Sequence, residues 1–179
     1  MRNRLTYLRN LLLPVLLALS GCVIMPLHHD SIEDTALLEI KTAFANTIEE
    51  ALNNQEEQWT SGWLGNMWVN FHGDNNRGLC YEWKYRVYTG VKETVERVGW
   101  RATGIVINRG VKHEHHAVIV YDPRQVTAEQ LLTARPGQPV YVLDAWRNGQ
   151  PDIYTMSDWL QLPMTVTIAA EITSLQPPK

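Results

Sequence analysis

The spacing of apolar positions divides the chain into two helices followed by a series of strands. Between Ile32 and Leu52, the residues Leu37, Leu38, Ile40, Ala43, Phe44, Thr47, Ile48 and Leu52 recur mostly three or four apart, as one buried face of a helix requires. Ser31, with Asp34 three residues on, is the expected cap, and Asn53 and Asn54 the expected end. Residues 55–79 keep neither period. Trp59, Trp63, Trp68 and Phe71 lie among Gly62, Gly65, Gly73 and Gly78, which predicts an aromatic-rich loop or a short helical piece. At Cys80 the helical period returns through Trp83, Val87, Val91, Val95 and Val98, and Gly99 is a natural stop. Gly90, inside this stripe, lowers its helix propensity by up to about 1 kcal/mol relative to alanine.

Beyond Gly99 short apolar runs alternate with turn signals. Thr103 to Ile107, His116 to Tyr121, Val140 to Leu143 and Met164 to Ile172 read as strands, divided by Asn108-Arg109-Gly110 and Asp122-Pro123. Thr127-Ala128-Glu129-Gln130 fits a capping box opening a short helix to about Ala134, and Ser157 is placed to cap a single turn through Leu160. Helices first and strands afterwards imply an α+β domain, its largely antiparallel sheet packed on the Cys80 helix.

The amino terminus belongs to neither pattern. Arg2, Arg4 and Arg9 precede an apolar stretch from Leu11 to Leu19 that Pro14 interrupts, and Leu19-Ser20-Gly21-Cys22 follows. Nine residues are too few to span a bilayer core, which takes about 20. The segment resembles a bacterial lipoprotein signal peptide cut before Cys22, whose thiol would carry the lipid. Val23 after that cysteine is similar to the outer-membrane class, which implies a domain facing the periplasm. The expected organisation is a signal peptide over 1–21, a lipidated tether over 22–31 containing Pro26, and one domain over 32–179. Removal of residues 1–21 takes away three of 16 basic residues and none of the 19 acidic ones, leaving a formal charge of −6. That balance excludes nucleic acid as a partner.

With Cys22 lipidated, Cys80 is the one thiol left, and an unpaired cysteine in an exported chain calls for burial or reactivity. Its place at a helix start favours reactivity, because unpaired N–H groups there lower a thiol pKa and can receive an oxyanion. Its place on the apolar stripe favours burial. His115 and His116 open a strand on opposite faces, so only one of them can reach a given site. Asp144 ends an apolar run, where a charge is costly unless paired. His113-Glu114-His115-His116 could instead supply metal ligands beside Cys80, but no second cysteine or His-Glu-x-x-His helix accompanies them, and no cofactor is expected. His28-His29 read as solvated, and the six tryptophans from Trp59 to Trp146 as core.

Cysteine at a helix start, His116-Ala117-Val118 at a strand start and a polar residue at the next strand resemble the papain-like superfamily of cysteine peptidases. The Cys, His, Asp order and Leu143-Asp144-Ala145-Trp146 are more similar to its transglutaminase-like members. The resemblance spans about residues 76 to 146. It implies Cys80 as nucleophile, His116 as base with His115 as the alternative, and Asp144 as orienter of the base. The activity it implies is hydrolysis or acyl transfer at a peptide or protein amide of the cell envelope, through a thioester. A noncatalytic binding lipoprotein on the same fold is the rival.

Overall fold

The computed structural model describes residues 24–72, 76–111, 113–162 and 167–175. The signal segment, Cys22, and Met164 to Val166 of the last expected strand lie outside them. Helix α1 (Thr35–Leu52) buries Leu37, Ile40, Phe44, Thr47, Ile48 and Ala51. Its cap is Asp34, which accepts from Leu37 N at 3.0 Å. Ser31, the expected cap, closes a 3-10 turn over His29–Ser31 and donates to His28 O. The segment expected as a tether lies against the domain where it is described. Leu27 N donates to Ile153 O at 2.7 Å, and Lys41 Nζ to Leu27 O at 2.8 Å.

The aromatic segment holds two short strands, β1 (Gln58–Trp59) and β2 (Asn76–Arg77), paired in parallel, and between them helix α2 (Gly62–His72). Gly78 follows β2 because nothing larger fits. A Cβ there would lie 2.4 Å from Thr60 Oγ1 and 2.7 Å from Thr60 O. Helix α3 (Cys80–Arg97) then buries Cys80, Trp83, Lys84, Val87, Val91 and Val95. The Glu82 carboxylate folds back over its start and accepts from Gly78 N and Leu79 N, both at 2.9 Å. Gly90 is the point of closest approach to α1, where a Cβ would lie 2.0 Å from Thr47 Oγ1. Its low helix propensity is therefore the cost of a tight helix crossing.

Five strands form one antiparallel sheet in the order β6-β5-β4-β3-β7: β3 (Arg101–Ile107), β4 (His115–Tyr121), β5 (Val140–Asp144), β6 (Asp152–Thr155) and β7 (Ala170–Thr173). A capping-box 3-10 turn (Ala128–Thr133) follows β4, and helix α4 (Met156–Leu160) follows β6. The observed class is α+β, as expected. Both faces of the sheet are covered. Val118, Val120, Leu143 and Ile153 pack on α1 and α3. Ala117, Ile119, Val140, Val142 and Tyr154 pack on Leu131, Met156 and Trp159. Two buried faces explain why β4 is apolar at consecutive positions and does not alternate. Two strand expectations are corrected. Strand β6 was not foreseen, because four residues at a sheet edge carry too few side chains to set a period. The last strand is confined to Ala170–Thr173, and Ile168 within its expected span is exposed. The cap of α4 is Thr155, which accepts from Asp158 N, in place of Ser157.

Candidate active site

The parity of β4 and β5 distributes the polar residues. Val118 pairs with Leu143 across the two strands, so Ala117 and Asp144 oppose one another on the α4 face. His115 shares that face with Ala117, and His116 shares the α3 face with Val118. His115 and Asp144 are therefore diagonal neighbours, with Nε2 and Oδ2 2.7 Å apart and both side chains sealed from solvent.

Three donors converge on the same carboxylate oxygen: His115 Nε2, Trp159 Nε1 at 2.8 Å and Arg147 Nε at 3.0 Å. Burial pushes the Asp144 carboxyl pKa upward, but the His115 and Arg147 charges and these hydrogen bonds outweigh it and hold the group well below the usual carboxylate range. A carboxylate only accepts, so the neutral imidazole carries its proton on Nε2 and presents a lone pair at Nδ1. That Nδ1 is buried and has no hydrogen-bond partner. The ring is packed against Trp146 and Trp159, with centroids 4.7 and 5.6 Å away. Helix α2 fixes Trp146 in turn, through Asn66 Oδ1 on its indole N–H at 2.9 Å and Gly62 N on its carbonyl at 2.5 Å.

Cys80 is the first residue of α3 and is 9% exposed. Its sulfur lies against the two peptide units that flank His115: it donates to Glu114 O at 3.9 Å and receives the His116 backbone N–H. It makes no hydrogen bond to either imidazole. Burial pushes the thiol up to about 11, and the negative charges of Asp144 and Glu114 add to this against the His116 and Tyr81 N–H groups. The expected lowering at a helix start is thus not met. Desolvation dominates, and Glu82 already holds the Gly78 and Leu79 donors expected to face an oxyanion.

The pairing of Asp144 with His116 is likewise corrected, since the sheet lies between them. His116 Nε2 instead meets Glu114 Oε1 at 2.6 Å, and burial lowers the imidazole pKa. The other oxygen of Glu114 accepts from Gly110 N at 2.5 Å, a bond that holds the Glu114 pKa low. Asn108, in the left-handed region at φ 56°, ties the same loop down. Its amide donates to His113 O, and its carbonyl accepts from Ile168 N. His113 is exposed, and among the described residues no group of three or more His, Cys, Asp and Glu is placed to hold a metal.

Sequence reasoning passed over Arg147, Trp159, Asn66 and Lys84. Arg147 had a usable signal, a cation three residues after a buried carboxylate. Trp159 and Asn66 reach the site from other elements and had none. No family model, curated protein or solved structure matches the chain.

Proposed function

We propose that the chain is a cysteine amide hydrolase or acyl transferase of papain-like, transglutaminase-like type, with Cys80 as nucleophile, His115 as base and Asp144 as orienter of that base. The observation that carries this reading is the buried His115 ring. Its Nε2 is fixed on Asp144, its faces are held by tryptophans, and its Nδ1 lone pair is unused beside a thiol seated on the adjoining peptide units. An imidazole held so rigidly with one nitrogen free is suited to general-base work, and burial without that role leaves the nitrogen unsatisfied at a cost.

At rest the thiol is protonated. As the sulfur attacks the carbonyl carbon of an amide, the S–H proton passes to His115 Nδ1 and the carbonyl electron pair moves to oxygen. The Cys80 N–H is the donor nearest that oxyanion. When the intermediate collapses, the C–N bond breaks, the imidazolium returns its proton to the departing amine, and a thioester remains for water or a second amine. Asp144 stabilises the imidazolium in between.

The noncatalytic reading has one observation in its favour, the burial and raised pKa of the Cys80 thiol. Labelling with a peptide vinyl sulfone, followed by intact mass at pH 7, separates the two. General-base help is worth about 10²- to 10⁴-fold, so His115→Ala should slow modification of Cys80 by at least about 100-fold, while His116→Ala stays within a few-fold. Equal rates in the two variants, or no modification of the parent protein, would refute the catalytic reading.

The reading includes a lipid anchor at Cys22 and an outer-membrane site facing the periplasm, with an envelope peptide or protein amide as substrate. Among the described residues no helix is long and apolar enough to cross a membrane. Cys22→Ala should abolish incorporation of an alkyne palmitate during expression, and undiminished label would exclude the anchor.

A further inference from the structure

Lys84 lies one helical turn beyond Cys80, on the same buried stripe of α3. It is 5% exposed, and no carboxylate pairs with it. Its one contact is the Tyr85 ring, 4.4 Å from Nζ to the centroid, which compensates a buried ammonium only in part. Burial lowers its pKa, the positive charge of Arg109 lowers it further, and a charge on Cys80 would raise it. The same ammonium acts on the His116 ring. The carboxylates nearby are already engaged, Glu114 with Gly110 N and His116, and Glu171 with Arg109. A desolvated cation therefore adjoins the thiol with its counter-charge missing. A buried charge is kept at such cost when it is paired in use.

We propose that Lys84 is a specificity-determining residue of the Cys80 site and receives a carboxylate of the substrate next to the bond that is attacked. This rests on the reading of Cys80 as nucleophile and narrows the substrate class to acyl groups carrying a nearby carboxylate, such as an acidic side chain or a free α-carboxylate beside the amide. The ammonium and carboxylate form a charge-assisted hydrogen bond inside a site with little water.

The test needs no knowledge of the natural substrate. Iodoacetate and iodoacetamide differ at the carboxylate alone, and each alkylates Cys80 at a rate read by intact mass at pH 8. The ratio of the two rates, referred to a free model thiol, reports carboxylate binding beside the sulfur. The structure assigns a raised ratio to the parent protein. Lys84→Met should lower it about tenfold with the iodoacetamide rate little changed, and Lys84→Arg should keep most of it. If both rates fall together in Lys84→Met, Lys84 acts on the thiol and the carboxylate assignment is overturned. An unchanged ratio overturns it as well, while leaving Cys80 reactive and the catalytic reading standing. Failure of both reagents to modify the folded parent protein overturns the proposal and the catalytic reading together. Circular dichroism of each variant confirms that the comparison is between folded proteins, and retention of the ratio in Lys84→Arg controls for local repacking.

Discussion

Replacement of Asp144 by asparagine is the most informative single change, because all three donors reach one oxygen and the other has no partner. An asparagine can place its carbonyl where Oδ2 lies and its amide where Oδ1 lies, keeping all three hydrogen bonds and losing only charge. Bonds to a charged acceptor contribute about 1.5–3 kcal/mol against about 0.5–1.5 for neutral ones, so three of them lose about 3 kcal/mol in all. Relief of carboxylate desolvation returns part of that, which leaves a net destabilisation of about 1–3 kcal/mol. Asp144→Ala removes the acceptor altogether, strands the Arg147 and Trp159 donors, and should cost about 3–5 kcal/mol. Urea unfolding at pH 7 measures both.

The pH dependence supplies an independent check on the same substitution. The folded carboxyl titrates near 2 and an unfolded aspartate near about 3.9. Its contribution is therefore complete above about pH 4 and is lost as pH falls toward 2. The stability gap between the parent and Asp144→Asn should accordingly narrow across that window. A gap that persists in acid, or an asparagine variant as unstable as the alanine one, would refute the account of the site as a charge shared by three donors.

Two other outcomes follow from burial and packing. Gly90→Ala should lower stability by about 1–2 kcal/mol despite its better helix propensity, because the new methyl meets Thr47 Oγ1 at 2.0 Å, and the added change Thr47→Ala should recover part of the loss. A stabilised Gly90→Ala protein by thermal melting would show that the helices can part without cost. The Cys80 thiol titrates near 11 folded and near about 8.5 unfolded, so its neutral form stabilises the fold up to about pH 8.5 and that contribution is lost as pH rises toward 11. Cys80→Ser should lack this alkaline loss of about 2–3 kcal/mol, and parallel pH profiles by chemical denaturation would exclude a buried thiol.

The helices were legible because each is half buried. One apolar stripe on α1 and another on α3 face the sheet, and the polar remainder of each turn leaves a clean 3.6-residue period. Strands β3 to β5 were legible as apolar runs but not as faces, since layers on both sides of the sheet fill every position from Ala117 to Tyr121. Parity is hidden under those conditions, and parity decides which histidine meets Asp144. A register shifted by one residue would have joined His116 to Asp144, so the choice rests on Val118 opposing Leu143, a pairing with no local signature. The chemistry-bearing residues Cys80, His115, His116 and Asp144 could thus be named from the sequence, while their partners could not.

The arrangement makes the reach from thiol to imidazole a property of the core. Cys80 is positioned by α3, whose start is clamped by Glu82. His115 is positioned by β4, whose preceding loop is clamped by Asn108 and Glu114. No side-chain bond joins the two residues, so their separation is set by how α3 packs on β4. Trp83, Val87 and Val91 of the helix share one buried cluster with Val118 and Val120 of the strand. Interiors packed to crystal-like density pass on small displacements, and a shift of about 1 Å at a reacting centre can change a rate by about 100-fold. A conservative truncation such as Val87→Ala, far from any polar group of the site, is therefore a change that acts on Cys80 and His115 together. The helix carries the sulfur at its first residue, and the strand carries the imidazole at its first residue. Their shared apolar seam is the hinge on which the geometry depends.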